Sequence, residues 1–323
     1  MPKRWGQLPY QSLNYYLKEK YGAKVYKAAV NGGFTCPNRD GTKSRQGCAF
    51  CGGDGAGECA GSLSDPIGLQ MSKEMDRLAA RDGASKFIAY FQAFTNTYAP
   101  VGELRRKYAE ALADPRVVAL AVATRPDCVD EAVTGLLTEF AKSHEVWVEL
   151  GLQTIHETTA QAINRCYPLA DYDRALTLLH GAGIKTVTHL IFGLPGETRE
   201  MMLDSVRYIA DTGTWGVKFH LLHLIRDTAL AREYAAGRLE PLSEEAYLEL
   251  VVAALRYLRP DMTVHRLTAE APRDILVAPQ WCIYKRQVLN HLQKLLRESG
   301  AYQGEFWWRP EEGRLSERKA PSA

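Results

Sequence analysis

Asn31–Gly57 reads NGGFTCPNRDGTKSRQGCAFCGGDGAG, and its three cysteines, Cys36, Cys48 and Cys51, decide how the rest of the chain is read. Cys48 and Cys51 form a C-x-x-C with an aromatic residue, Phe50, just before the second sulfur. Eleven residues separate them from Cys36, in a loop carrying Arg39, Lys43 and Arg45. Three thiolates on one glycine-rich loop suggest a metal site. A structural zinc or a fully ligated iron–sulfur cube uses four protein ligands, whereas three leave one metal corner open for another molecule. Three readings stay open at this level. Zinc needs a fourth donor, for which Cys59 is the nearest candidate. A redox dithiol uses a C-x-x-C but leaves Cys36 unexplained. An open [4Fe-4S] cluster accounts for all three thiols.

At 323 residues the chain is long enough for one α/β barrel with extensions or for two modest domains. Its hydrophobic content of 46% and charged content of 24% exclude an extensively disordered protein. A net charge of +2 neither demands nor excludes a nucleic-acid partner, because a local basic face can bind phosphate on a nearly neutral protein. The first residues, MPKRWGQLPYQSLNYYLKEKYG, lack the apolar core of a signal peptide, and no apolar run is long enough to span a bilayer. A cytoplasmic location without a membrane partner is expected. Seven cysteines with three clustered fit a reducing compartment; Cys59, Cys128, Cys166 and Cys282 read by default as packed or partly exposed thiols.

Strands are predicted at 24–33, 85–95, 117–124, 144–154, 185–192 and 215–225. Helices are predicted at 11–21, 65–82, 101–113, 129–143, 158–165, 171–182 and 241–258. Such alternation means a parallel sheet with right-handed crossovers. The expected fold is therefore α/β, a partial (β/α)6 barrel over residues 1–235, with residues 236–323 as an extension that caps or flanks it. The tail after Glu311 is expected to be loose. Ligands of parallel barrels collect at the C-terminal ends of the strands, and the unusual residues recur there. Cys36 follows the first strand, Gln92 to Asn96 close the second, Thr124-Arg125-Pro126-Asp127 the third, Glu149 to Thr154 the fourth, and Gly193-Leu194-Pro195-Gly196-Glu197 the fifth.

Cys36, Cys48 and Cys51, with Phe50 before the last sulfur, resemble the cluster loop of the radical S-adenosylmethionine (SAM) superfamily, in the wide-spaced variant related to the catalytic subunit of Elongator. More narrowly, NGGFTCPNRDGTKSRQGCAFC resembles the bacterial YhcC-type family, a likeness running from about Leu13 to about Pro279. The resemblance implies a [4Fe-4S] cluster on the three cysteines and SAM bound at its open corner. It further implies reductive cleavage to methionine and a 5′-deoxyadenosyl radical, and a low-potential electron donor of the flavodoxin or ferredoxin type.

The resemblance also implies roles residue by residue. HLIFGLPGE resembles the fifth-strand segment that holds adenine, with Ile191, Phe192 and Leu194 lining the pocket and His189 near the ribose. Without it, GLPGE is an ordinary turn and His189 a hydrogen-bonded structural group. Glu149-Leu-Gly-Leu-Gln153-Thr, with Arg165 twelve residues after the glutamine, resembles a pattern in which the glutamine meets the ribose and the arginine grips the methionine carboxylate. A guanidinium can do so bidentately; without the resemblance Arg165 is a helix-end surface group. Thr124 and Arg125 become SAM-side or substrate-side groups. Gln92 and Thr95 stand where the SAM amino group is received, although FQAFTNTY lacks the usual glycines. GGDGAG is not a phosphate loop, since no Lys-Ser/Thr follows it.

Elongator-like relatives act on tRNA, so the resemblance points to a tRNA uridine side chain as substrate. Arg39, Lys43, Arg45, Arg125, Lys218, His220, His223 and Arg226 place basic groups near the predicted mouth, and Tyr98, Trp281, Tyr284, Trp307 and Trp308 could stack bases. His265, Arg273 and Lys285 are further candidate substrate contacts. The competing readings are a radical SAM enzyme for a small metabolite or a protein side chain, and a non-catalytic iron–sulfur or zinc protein.

Overall fold

In the computed structural model, which describes residues 5–53, 55, 60–268 and 271–307, strands and helices alternate along nearly the whole chain. α1 (Leu13–Tyr21) leads into β1 (Val25–Val30), then α2 (Ile67–Asp82), β2 (Lys86–Phe91), α3 (Val101–Ala111), β3 (Val117–Thr124), α4 (Glu131–Ala141) and β4 (Glu145–Gln153). Next come α5 (Glu157–Ala162), α6 (Leu169–Gly181), β5 (Lys185–Phe192), α7 (Arg199–Asp211), β6 (Gly216–Leu221), β7 (Leu224–Ile225) and α8 (Ala229–Ala235). α9 (Glu244–Tyr257), β8 (Thr263–Arg266), β9 (Leu276–Ala278) and α10 (Lys285–Ser299) complete the set. The helix starts are written locally: Ser12, Asp130, Thr198, Thr228 and Ser243 each accept a backbone N–H from the first turn of the helix that follows.

Seven strands form one wholly parallel sheet in the order β1-β2-β3-β4-β5-β6-β8, while β7 and β9 make a short antiparallel pair. The sheet thus carries one strand more than the six expected. β8 comes from the segment read as a C-terminal extension, and α9 packs on α7, so a boundary at residue 235 falls inside one continuous sheet. α7 also goes beyond the predicted helices. Residues after 307, including Trp308 and the expected loose tail, lie outside the described residues.

Strand side chains alternate between the two faces of a sheet, and here the faces do different things. Val146, Val148, Leu150 and Leu152 of β4 join the large core between sheet and helices. Trp147 of the same strand turns inward with Ile88, Ala119, Ala121 and Val187, the alanines of β3 leaving room for the indole. α1 inserts Leu13 and Leu17 into this inner cluster. Ahead of it, Ser12 bridges to Val264 of β8, whose N–H donates to Gln11 O at 2.7 Å. The edge an open parallel sheet would leave bare is therefore covered.

Charge fixes α1 as well. Glu145, at the start of β4, accepts from Tyr16 Oη at 2.7 Å, Lys20 Nζ at 2.9 Å and Tyr21 Oη at 3.0 Å, and it also meets Lys185 of β5. Burial by itself would raise this carboxyl; Lys185, Tyr16 and Lys20 outweigh it and hold the pKa at about 2. A depressed carboxylate contributes its stability fully above the ordinary value of 4.5 and loses it as pH falls toward 2. Glu145→Gln is expected to cost about 2–3 kcal/mol at neutral pH and to flatten the decline in stability across that acid window. Urea unfolding at a series of pH values measures both; an unchanged acid limb would mean that α1 is held by its apolar face alone.

Candidate cluster and cofactor cavity

The loop after β1 is held by its own backbone and by two polar side chains. Arg39 N and Asp40 N donate to Cys36 O at 2.8 and 3.1 Å, and Cys51 N to Cys48 O at 3.0 Å. Asn38, fully buried, donates from Nδ2 to Asn164 O at 2.6 Å and to Cys48 Sγ at 3.4 Å. Arg39 Nη2 donates to the carbonyls of Cys51 and Gly52 at 2.8 and 2.5 Å. Gly47 has φ +74°, and a Cβ there would stand 3.1 Å from the Arg39 guanidinium, so a side chain would strain the turn and displace that clamp. Burial pushes the Cys48 thiol up to about 12, with Cys51 adding to the effect. A metal must displace that proton, and the Asn38 amide favours the thiolate that results.

Cys36, Cys48 and Cys51 line one cavity of about 360 Å³, a volume ordinary for a small-molecule site. None of the six described cysteines is in a disulfide; Cys59 lies outside the described residues. Among the described residues no three His, Cys, Asp or Glu side chains are grouped closely enough to hold a single metal ion. A four-iron cube spreads its thiolates over separate irons, and three thiols at the rim of a ligand-sized cavity fit such a cluster with one corner facing the cavity.

Backbone strain concentrates at this rim. Phe94 (φ 60°) and Gln153 (φ 70°) line the cavity, and Asn164 (φ 53°) and Cys166 (φ 60°) flank Arg165, which lines it too. For side chains other than Asn or Gly this conformation costs about 1–3 kcal/mol. Gln153, the last residue of β4, thereby brings its amide to the cavity, and that amide makes no hydrogen bond among the described residues.

Beneath the mouth lies a buried charge cluster. Glu149, with no exposure, accepts from Lys27 Nζ at 3.1 Å, Trp147 Nε1 at 3.2 Å and His189 Nε2 at 3.0 Å, and it pairs with Lys218. Lys218 also donates to Tyr90 Oη at 3.0 Å. Burial disfavours the Glu149 charge, yet Lys218, Lys27 and His189 hold its pKa well below the carboxylate range. Burial and Lys218 lower His189 to about 4 against the pull of Glu149. The imidazole is therefore neutral at pH 7; with Nε2–H donated to Glu149, Nδ1 is an acceptor.

Of the residues singled out from sequence, Phe50, Gln92, Thr95, Thr124, Arg125, Glu149, Gln153, Arg165, His189 and Ile191 line the cavity together with the three cysteines. Phe192 does not. The inward set on β5 is 187, 189 and 191, so Phe192 turns outward and stacks on Phe219 with ring centroids 5.0 Å apart. Leu194 packs behind the wall in an apolar cluster with Ala49, Ile163 and Leu222. Arg165 is 1% exposed and committed to carbonyls, donating to Leu152 O, Thr154 O and Tyr167 O at 3.0, 2.6 and 3.1 Å; its Nη2 faces Glu157 Oε1 at 3.5 Å. It shapes the turn after β4 whatever else it touches. Arg125 is neutralised bidentately by Asp127 at 2.9 and 2.8 Å, and Lys43 joins the same carboxylate.

Lys218, expected among the basic groups at the mouth, is instead buried against Glu149. His265 is wedged between Trp147 and Trp215, below the mouth. Arg273 lies over Tyr284, and neither it nor Lys285 lines the cavity. Sequence reasoning missed Asn38, Lys27, Tyr90 and Arg266. The signal for Lys27 and Tyr90 was the two-residue period that puts a polar group on the inward face of an otherwise apolar strand.

A sequence model described as the Radical SAM superfamily matches residues 36–209, and one described as the Radical_SAM C-terminal domain matches residues 214–298. YtqA of Bacillus subtilis is 44% identical over 303 residues, 94% of each chain. YhcC of Escherichia coli is 40% identical over 299 residues, 91% of this chain and 94% of its own. A tRNA uridine(34) acetyltransferase of Methanocaldococcus jannaschii is 28% identical over 169 residues, 51% of this chain and 30% of its own. Among solved structures, Elp3 of Methanocaldococcus infernus with an N-terminal deletion superposes with a TM-score of 0.67 at 19% identity, covering 86% of this chain and 64% of that one. Among the described residues no helix is long and apolar enough to cross a membrane.

Proposed function

The chain belongs to the radical SAM superfamily, and from that premise we propose that this enzyme modifies an RNA base, with a tRNA uridine side chain as its target. When bound, the [4Fe-4S] cluster and SAM of the family supply a 5′-deoxyadenosyl radical after reduction by a low-potential donor such as a flavodoxin or ferredoxin. Cys36, Cys48 and Cys51 hold the cluster, and Asn38 orients Cys48 by its hydrogen bond to the sulfur. The uncommitted amide of Gln153 and the acceptor Nδ1 of His189 suit the two hydroxyls of a ribose, a pairing in which each group keeps the protonation state its surroundings impose. Ile191 supplies an apolar wall for adenine, and Phe50 and Thr95 narrow the cavity at the cluster end. Thr124, Gln92 and Arg165, whose Nη2 makes only a 3.5 Å approach to Glu157, would hold the amino acid portion of SAM.

The observation that carries the substrate reading is the likeness, across half of the chain, to enzymes named for acting on tRNA uridine(34). Basic side chains at the cluster loop support it: Arg39 lines the cavity, and Arg45 is exposed on the same loop. The test is 5′-deoxyadenosine formation by the anaerobically reconstituted protein with SAM and dithionite, in the presence of tRNA from a strain lacking the gene. That tRNA is expected to stimulate the reaction by about tenfold or more, a gain of at least about 1.4 kcal/mol in the barrier. Equal rates with tRNA from the deletion strain, tRNA from its parent and no tRNA would rule out this substrate.

A further inference from the structure

The wall of the cavity contributed by β6 and β8 has no part in binding the cluster or SAM in the reading above. Beside Leu221 and Leu222, three polar residues of this wall reach the cavity: His220 on β6, His223 just beyond its end, and Arg266, the last residue of β8. The Nε2 atoms of His220 and His223 are both buried without a hydrogen-bond partner among the described residues. A buried polar atom left in that state costs about 1–3 kcal/mol, which native proteins rarely accept unless a ligand or water completes the bond.

The charges on this wall are equally incomplete. Arg125 has Asp127, Arg165 has carbonyls and Glu157, and Arg39 has two carbonyls. The Arg266 guanidinium forms no ion pair or hydrogen bond among the described residues. Among the described residues lining the cavity Glu149 is the one acidic side chain, and it already faces Lys27 and Lys218. A register shift in the β6–β8 ladder sets Arg266 directly across from Lys218, so two basic side chains share one level of the barrel interior. Burial lowers both His220 and His223, and Arg266 lowers them further. Both imidazoles are thus neutral at pH 7 and can offer an N–H without adding positive charge.

We propose that this wall is a subsite for an oxyanion carried by the substrate, a carboxylate or a phosphate, gripped by the Arg266 guanidinium with His220 and His223 donating from Nε2. A planar guanidinium fork and convergent N–H donors match the geometry of such a group. The excess charge at this level of the barrel is then balanced on substrate binding. The inference rests on the radical SAM reading only for the identity of the other occupant of the cavity.

The experiment is calorimetric titration of the anaerobically reconstituted full chain with inorganic phosphate and, separately, with acetate, at constant ionic strength in chloride. At least one of the two is expected to bind saturably in the millimolar range, and comparing the two arms identifies which oxyanion the subsite takes. Arg266→Gln is expected to weaken that binding by about tenfold or more while leaving SAM affinity within about threefold of wild type. His223→Gln, which keeps an N–H donor and most of the volume, gives a second variant with little risk to folding and a smaller loss of anion affinity. Arg286→Gln, on the exposed face of α10, controls for general charge and should change nothing. Absence of saturable anion binding to the wild type, or equal binding to Arg266→Gln, would overturn the proposal. So would a tenfold loss of SAM affinity in Arg266→Gln, since that would assign the wall to the cofactor. Anion binding without SAM binding would instead sink the radical SAM reading and leave the subsite standing.

Discussion

Alanine in place of Cys36, Cys48 or Cys51 is expected to leave a folded protein that retains no intact cluster and forms 5′-deoxyadenosine only at background level. The fold survives because these cysteines enter their turns through backbone atoms: Cys36 O and Cys48 O accept the turn hydrogen bonds, and alanine keeps both carbonyls. The side chains are only half-buried, so the apolar surface lost is worth about 1 kcal/mol or less. The chemistry does not survive, because the fourth corner must stay open for SAM and three thiolates leave no spare ligand. Cys128→Ala and Cys166→Ala supply the contrast. Burial pushes the Cys128 thiol up to about 12, with Asp127 adding to the effect, so it stays protonated at neutral pH. Cys166 Sγ is within 3.1 Å of Asn164 Oδ1 rather than at the cavity. Both variants should keep their iron, sulfide and turnover. Metal and sulfide analysis with a product assay reads all five proteins; a triad variant with full iron and turnover would refute the assignment, and tightly held zinc in place of iron would point to a non-catalytic module.

The parts of this molecule legible in the sequence are those set by short-range pattern. The cysteine loop is a local motif, and the alternation of apolar strands with amphipathic helices fixed the order of six parallel strands without any knowledge of contacts. β8 escaped because four residues, Thr263–Arg266, are too few to show a period, and what makes them a strand is pairing with β6. Phe192 was assigned to the cavity through the resemblance of HLIFGLPGE to an adenine-holding segment; the two-residue alternation of a strand allows only His189 and Ile191 to face inward. Lys218 was read as a basic group at the mouth, open to solvent as lysine usually is. Its real partner, Glu149, is 69 residues away in sequence, and no local signal joins them. Asn38 looked like any loop asparagine until Asn164 and Cys48 were seen to converge on its amide. Glu149 itself was recognised as unusual but given to the cofactor, whereas the structure surrounds it with four protein donors.

Glu149→Gln is accordingly expected to produce a large loss of stability. Glutamine preserves the size of the side chain and removes its charge, leaving Lys27 and Lys218 beside each other without a counterion inside the barrel. Removing one member of a buried ion pair costs about 3–5 kcal/mol, which corresponds to a fall in Tm on the order of 10 °C for a chain of this size. The effect reaches beyond one strand, because the carboxylate joins Lys27 of β1, Trp147 of β4, His189 of β5 and Lys218 of β6, and through Lys218 reaches Tyr90 of β2. His189 loses its acceptor as well, so its tautomer is no longer fixed and Nδ1 is no longer held as an acceptor toward the cavity. SAM affinity should therefore fall together with stability. Lys218→Met in the same chain separates the two effects: with the uncompensated ammonium gone, the double variant Glu149→Gln/Lys218→Met should recover at least about 1 kcal/mol relative to the sum of the single variants, whereas SAM affinity should remain low because His189 still lacks its carboxylate. Thermal unfolding and SAM titration of the two single variants and the double variant measure this directly. A Glu149→Gln protein within about 0.5 kcal/mol of wild type would mean that the two lysines are solvated in the folded protein and that the inner layer of the barrel is held by its apolar contacts alone.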